Sequence, residues 1–507
     1  MRVSHQASSA VETYSPAEER FNRRRRRVGF ALGPVLFLAC LAMPLPGSSP
    51  EAHRLAAVLA LVVTWWVTEP VPMAVTALVG PVLATLLGIA PVQEVFAPFG
   101  DPIIFLFIGS FMLAEAMFVH GVDRRIAYGA LSWRAIQGSG GRVICVYGVV
   151  AAAMSMWMSN TATTAMLFPI GLSIVSHLTR GSQSADLRRF AVVMMLTTSF
   201  AASIGGMATP VGTPPNLIGI GLIERILGVH LGFVEWGLVA MPAVIVLLGL
   251  LVVYFHLVGG RAVRVGETSR ALVAEELARL GPLGAGERNV LIAFGVTVLL
   301  WVTPGLFAIA GQSESAFARA YAENVPEAIA ALVGAFLLFV LPVGSGGRRA
   351  TLTWEEAVRI DWGTVLLFGG GLALGQLAFT TGLAQTAGEA VAAWLPSHST
   401  LTVTALFTAL AIVVSETTSN TASANMIVPV AIAVAQSVGV DPLVPALAAT
   451  LGASMGFMMP ISTPPNAIVY SSGHVPITAM MKYGALLDVA GFVVIVTVTV
   501  LLGPLLG

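Results

Sequence analysis

The stretch MWMSNTATTAMLFPI, residues 156–170, places five neutral hydrogen-bonding side chains inside one of the most apolar parts of the chain. Ser159, Asn160 and Thr161 form its centre, Thr163 and Thr164 follow, and no Lys, Arg, Asp or Glu occurs from Val143 to Ser176. The arrangement returns 260 residues later as TTSNTASANMIVPV (417–430).

The surroundings give these triplets their meaning. Of 507 residues, 56% are hydrophobic and only 10% charged, too few charges to cover a soluble protein of this size. Apolar runs of about 17–25 residues, the length that crosses a bilayer, recur from Val28 onward. An all-α polytopic membrane protein is expected. The first 27 residues are polar, show no apolar core of a cleavable leader, and end in Arg23–Arg27 directly before the first span. Basic residues beside a span stay cytoplasmic, so this run reads as a topology anchor rather than a nucleic-acid contact.

Spans are expected near 28–46, 54–70, 71–90 and 101–121, followed by the basic residues Arg124, Arg125, Arg134 and Arg142. Two apolar arms, 143–158 and 162–178, then flank Ser159-Asn160-Thr161, and the basic TRGSQSADLRR comes after them. With both ends cytoplasmic, a re-entrant hairpin at 143–178 fits better than one or two full crossings. An arm of about 16 residues makes about 24 Å of helix, enough to bring the tip near mid-membrane. The next crossing, 189–228, is interrupted by TPVGTPPN (209–216). Its prolines remove donors and fix φ, which rules out one continuous helix. Broken backbone at membrane depth is tolerated only where it is buried in protein or lines a polar cavity.

A span at 237–258 leads to a cytoplasmic linker, 259–288, with Arg261, Arg264, Arg270, Arg279 and Arg288 and the amphipathic stretch ETSRALVAEELARL. The second half repeats the plan with spans near 289–311, 326–343 and 363–383, and Arg348 and Arg349 between the last two. A hairpin at 401–437, with flanks free of Lys and Arg, enters from outside. A broken crossing at 443–474 contains PISTPPN (460–466), and the last span is 484–506. The total is about 11 crossings, with a cytoplasmic N-terminus and an external C-terminus. The parts are a tail (1–27), a first span and loop (28–53), inverted repeat 1 (54–258), the linker and inverted repeat 2 (289–507).

Three alignments carry the repeat. SNTATTAMLFPI (159–170) and SNTASANMIVPV (419–430) are identical at six of twelve positions. PVGTPPN (210–216) matches PISTPPN (460–466), and LFIGSFMLAEAMFVHG (106–121) matches LFGGGLALGQLAFTTG (367–382). Five crossings per copy, an odd number, turn the second copy upside down. A single polar triplet is ordinarily helix-packing glue, and a lone Thr-Pro-Pro-Asn is a turn. Both motifs twice, in the same order and opposite orientation, are the pattern of a secondary transporter with its site between the repeats.

At a hairpin tip, unpaired carbonyls at one helix end attract a cation and free N–H groups at the other attract an anion. Asn and Ser oxygens suit a small hard cation. Neither hairpin contains Arg or Lys, so countercharge for an anion must come from bound cations and helix ends. Thr161, Thr421, Thr213 and Thr463 are placed to donate hydrogen bonds to carboxylate oxygens.

The paired Ser-Asn-Thr tips and Thr-Pro-Pro-Asn breaks, with WWVTEPVP (65–72), resemble the divalent anion/sodium symporter (DASS) family, carriers of dicarboxylates, citrate or sulfate. The resemblance implies a first Na⁺ held by Ser155, Ser159, Asn160 and Gly212, and a second by Ser415, Thr418, Asn420 and Ser462. It implies substrate contacts from Asn160, Thr161, Thr213, Asn420, Thr421 and Thr463, and a homodimer whose transport domain moves elevator-fashion against a scaffold. A C4 dicarboxylate such as succinate suits two threonine-lined ends; sulfate, citrate and Na⁺-independent exchange are the alternatives. Glu416, three residues before Ser419, reads either as a tuner of the second cation site or as a structural group. It is also the one hairpin residue on which proton coupling could rest. Asp101 and Asp361 read as helix N-terminal residues, Glu69 as interfacial, and Cys40 and Cys145 as small core residues. His120 and His177 are assigned no chemistry. For an intramembrane hydrolase acting through Ser159 or Ser419 no His or Lys base is suitably placed in either hairpin, so no enzyme is expected.

Overall fold

The computed structural model describes the chain except for residues 1–15, 46, 133–138, 180–183, 262, 264–266, 345–348 and 507. The start of the N-terminal tail and Arg134, Arg264 and Arg348 of the basic loops therefore lie outside the described residues.

The helices run α1 (Pro16–Ala42), α2 (Pro50–Thr68), α3 (Met73–Leu86), α4 (Val92–Phe96), α5 (Pro102–His120) and α6 (Val122–Leu131). Next come α7 (Gly140–Ser155), α8 (Asn160–Thr179), α9 (Ala185–Gly206), α10 (Pro214–Leu227), α11 (Phe233–Phe255) and α12 (Glu267–Arg279). The second half holds α13 (Ala285–Ile309), α14 (Ala316–Asn324), α15 (Glu327–Val340), α16 (Trp354–Ala357), α17 (Trp362–Thr380) and α18 (Leu383–Ala392). It closes with α19 (Thr400–Thr417), α20 (Asn420–Ser437), α21 (Leu443–Gly452), α22 (Pro464–Tyr470) and α23 (Ile477–Leu502). A two-residue antiparallel pairing of Pro342–Val343 with Arg349–Ala350 departs from the all-helical expectation.

Local chemistry sets the boundaries. The Arg23–Arg27 run lies inside α1, which therefore begins well before the apolar stretch at Val28. Ser49 caps α2 with Pro50 at the first helical position. That helix ends at Glu69, whose φ of 48° is the one positive value among described non-glycine residues. The chain bends at Pro70 and Val71, Pro72 leads into α3, and the Glu69 carboxylate meets Arg25 at 3.2 Å. Asp101 and Asp361 cap α5 and α17 as expected, accepting the N–H groups of Ile103 at 3.0 Å and Thr364 at 3.1 Å.

The order from α5 to α11 recurs from α17 to α23. Each copy includes a ten-residue helix, α6 or α18, launched from a left-handed glycine, Gly121 (φ 71°) or Gly382 (φ 83°). The copies also share a helix crossing. A Cβ on Gly109 of α5 would lie 2.8 Å from the Ala331 backbone of α15, and one on Gly370 of α17 would lie 2.2 Å from the Ala77 carbonyl of α3. Only glycine allows these backbones so close. The C-terminal half of α8 packs near α6 and α12, whereas α20 packs on α18.

Among the described residues, eight helices are long and apolar enough to cross a membrane, or nine if α14 and α15, bent by 66°, form one span. Six of the 11 expected spans are among the eight: α1, α2, α3 and, taken alone, α15 fall outside, as does the stretch 443–474, divided between α21 and α22, while α8 and α19, expected as hairpin arms, pass the same test. The cysteines also depart from expectation: Cys40 is half-buried and Cys145 exposed on α7, since an apolar thiol in a membrane segment need not enter the protein core.

Candidate functional site

Each tip is held by the same local bonds. The Ser159 hydroxyl accepts the Ala162 N–H and the Ser419 hydroxyl that of Ala422, both at 3.2 Å. Five residues apart across each turn, Ser155 Oγ donates to Asn160 Oδ1 and Ser415 Oγ to Asn420 Oδ1, both at 2.7 Å.

The facing breaks are equally alike. Thr213 (φ −146°, ψ 143°) and Thr463 (φ −145°, ψ 144°) hold the same extended geometry before α10 and α22, each opened by two prolines. The fourth residue of each Thr-Pro-Pro-Asn folds back to staple the break. Asn216 Nδ2 donates to the carbonyls of Gly206 (2.9 Å) and Thr209 (2.7 Å). Asn466 Nδ2 donates to those of Gly456 (2.9 Å) and Met459 (3.0 Å). Both asparagines are buried, so these bonds satisfy carbonyls that the interrupted helices leave open.

Tips and breaks meet around glycines. A Cβ on Gly456 would lie 3.0 Å from Asn420 Oδ1 and 3.1 Å from both Ser415 Oγ and Ser462 Oγ, so three oxygens from three segments converge on one point. On Gly206 it would lie 2.1 Å from Asn160 Oδ1, and on Gly212 it would lie 2.5 Å from the Gly206 carbonyl and 2.9 Å from that of Ser155. These neutral oxygens suit a hard monovalent cation. Among the described residues no group of three or more His, Cys, Asp or Glu could hold a metal ion.

One cavity of about 560 Å³ gathers the four motifs. Nine of the twelve residues expected at the site line it: Ser159, Asn160, Thr161, Gly212, Thr213, Asn420, Thr421, Ser462 and Thr463. Ser155, Ser415 and Thr418 are buried and do not line it. The Thr418 hydroxyl turns to the Val414 carbonyl at 2.8 Å, ending α19. The first turns of α8, α10, α20 and α22 border the cavity, so four positive helix ends face one space.

The far wall was not legible in the motifs. Phe111, Ala114, Glu115 and Phe118 of α5 and the segment Arg359–Asp361 before α17 complete the cavity. An arginine is thus present after all, though accompanied by two carboxylates. Glu416 also has a definite place. Its carboxylate accepts the N–H groups of Phe457, Met458 (2.7 Å) and Met459 (3.2 Å), capping the second break from α19, with Asp488 of α23 as its neighbour. Those three bonds tie the end of α19 to the second break. A single sequence could not show that residue 416 reaches residues 457–459. The asparagines, by contrast, stood in the motif, and their lone amide beside two prolines was a usable signal.

A helical membrane bundle whose interrupted helices point their ends into one shared cavity is a carrier of small solutes rather than an enzyme. The family model for the sodium:sulfate symporter transmembrane region matches residues 27–507. The sodium-dependent dicarboxylate transporter SdcS of Staphylococcus saprophyticus is 32% identical over 484 residues, covering 94% of this chain and 91% of that one. SdcS of Staphylococcus aureus is 32% identical over 485 residues, with the same coverage. The chain belongs to the sodium:sulfate symporter family, the divalent anion/sodium symporters its motifs resemble. The fold is shared with the YdaH transporter of Alcanivorax borkumensis (TM-score 0.52, 14% identity, 96% of this chain and 98% of that one).

Proposed function

We propose that this protein is a Na⁺-coupled symporter of a divalent anion, a C4 dicarboxylate such as succinate, in the plasma membrane. The observation that carries the reading is the meeting of both Ser-Asn-Thr tips and both Thr-Pro-Pro-Asn breaks on one cavity. In this reading one Na⁺ is held by Ser155, Ser159, Asn160 and Gly212 and a second by Ser415, Thr418, Asn420 and Ser462. Carbonyl oxygens substitute where a hydroxyl is already committed. The dianion lies between them against Thr161, Thr213, Thr421 and Thr463, with Asn160 and Asn420 touching both ion and substrate. Without Na⁺ the anion loses its countercharge, so ion and substrate bind together.

Exchange without sodium would need a fixed positive charge at the site. Arg359 is the one cation among the cavity's described residues, and Glu115 and Asp361 on the same wall offset it. The sodium-dependent dicarboxylate names of the staphylococcal relatives support the coupled reading. The α7–α8 and α19–α20 pairs act as re-entrant hairpins from opposite faces in a scheme of 11 crossings, with the N-terminus inside and the C-terminus outside. Alternating access is elevator-like, within a homodimer.

Uptake of labelled succinate and sulfate into proteoliposomes, in Na⁺, K⁺ or a proton gradient, tests this. Succinate uptake is expected in Na⁺ alone, and Asn160→Ala and Asn420→Ala are expected to abolish it. Equal uptake in K⁺ medium overturns the coupling.

A further inference from the structure

We infer that Ser199 of α9 is a positioning residue that couples the two cation sites, setting the shape of the second from the first repeat. The inference rests on the sodium-site reading above. Among the described residues, helix α9 is the most enclosed of the eight long apolar helices, with 78% of its apolar stretch buried in the protein against 28% for α13. Its C-terminal end runs straight into the first break, where Gly206 lies against Asn160. Ser199 lies about two turns earlier and is fully buried.

Its hydroxyl reaches across to the other repeat and donates to Asn466 Oδ1. The same amide, through Nδ2, holds the Gly456 carbonyl at 2.9 Å and Ser462 Oγ at 3.3 Å, both at the point where the second set of oxygens converges. The next residue of α9, Phe200, packs edge-on against Phe457 with ring centroids 4.9 Å apart. One turn of α9 therefore grips the second break at both a side-chain amide and a ring.

The matching position in the first break lacks such a grip. Asn216 staples Gly206 and Thr209, but its Oδ1 is buried with no partner. A buried amide oxygen with a fixed donor locks the orientation of the NH₂ group on its other side, whereas one without a donor does not. The second staple is thus oriented from the first repeat, and the first is not oriented from the second. When an ion draws the end of α9 toward Asn160, a rigid buried helix carries Ser199 and the orientation of Asn466 with it.

The experiment is a Na⁺ titration of labelled succinate uptake in proteoliposomes for the wild type, Ser199→Ala and Ser199→Thr. Na⁺-induced thermal stabilisation of the purified proteins serves as a transport-independent readout. Ser199→Ala is expected to raise half-saturating Na⁺ about five- to tenfold, the worth of one buried hydrogen bond, and to lower the Hill coefficient toward one. Half-saturating succinate at saturating Na⁺ is expected to stay within about twofold of wild type, a split that a merely structural bond would not produce. Ser199→Thr, which keeps the hydroxyl, restores the Na⁺ curve. An unchanged Na⁺ curve and Hill coefficient in Ser199→Ala overturn the inference, as does an equal loss in the Na⁺ and succinate parameters. Wild-type uptake indifferent to Na⁺ sinks the sodium reading itself, and the coupling with it.

Discussion

Gly456 and Gly206 mark the places where a missing methyl leaves room beside the oxygens of the proposed ion sites. Gly456→Ala puts a carbon 3.0–3.1 Å from three oxygens, closer than side chains ordinarily pack. Half-saturating Na⁺ in uptake assays is expected to rise by about tenfold or more, equivalent to about 1.4 kcal/mol, with the fold retained. Gly206→Ala is more severe, since its Cβ would overlap Asn160 Oδ1, and abolished uptake is expected. At Asn466 the bonds matter more than the space. Asn466→Ala strands the Gly456 and Met459 carbonyls in a buried region. A cost of about 1–3 kcal/mol per unsatisfied group should appear as a clear fall in melting temperature.

Elements are placed by punctuation in the chain and by close approach between backbones. Prolines and asparagines end and staple α9, α10, α21 and α22, while glycines decide which helices can touch. Gly370→Val would push a side chain into the Ala77 carbonyl, which cannot rotate away. Overpacking of about 1–3 kcal/mol is expected, seen as a lowered thermal midpoint. Gly129 of α6 is the control: a Cβ there meets nothing, so Gly129→Ala should leave the midpoint unchanged or slightly raised. The breaks and their glycines could be seen in the chain before any fold was known. Helices α6 and α18 could not, because ten residues after a glycine carry too short a period to separate from a loop.

Across the whole molecule, charged contacts tie the cavity-forming helices to their neighbours. Arg225 of α10 reaches Asp101 at the start of α5 at 3.0 Å and Gln376 of α17 at 2.7 Å. Nearby, His230 in the turn after α10 lies 3.2 Å from Glu224 and 3.7 Å from Glu327 of α15. Bonds to Glu224, then Glu327, raise its pKa from 6.5 to about 10. Folding therefore favours the charged ring. The contribution is fully present below pH 6.5 and is lost as the pH climbs through about 10. Since 60% of the side chain is exposed, solvent keeps the effect small. The difference in melting temperature between wild type and His230→Gln is expected to be modest at pH 6.5 and gone above pH 10.

By itself the chain determined its solvent and its plan. Fifty-six per cent apolar residues with one charge in ten demand a bilayer, and two copies of Ser-Asn-Thr and Thr-Pro-Pro-Asn announce where helices stop. Those signals are local, because helix ends are written within a turn of the residues that make them. Only the tertiary structure decided that Glu416 caps residues 457–459, that Ser199 reaches Asn466 and that Arg359 and Glu115 close the far wall. Contacts between residues 41 to 267 positions apart depend on how helices pack, and packing depends on shape in three dimensions, which no period or motif records.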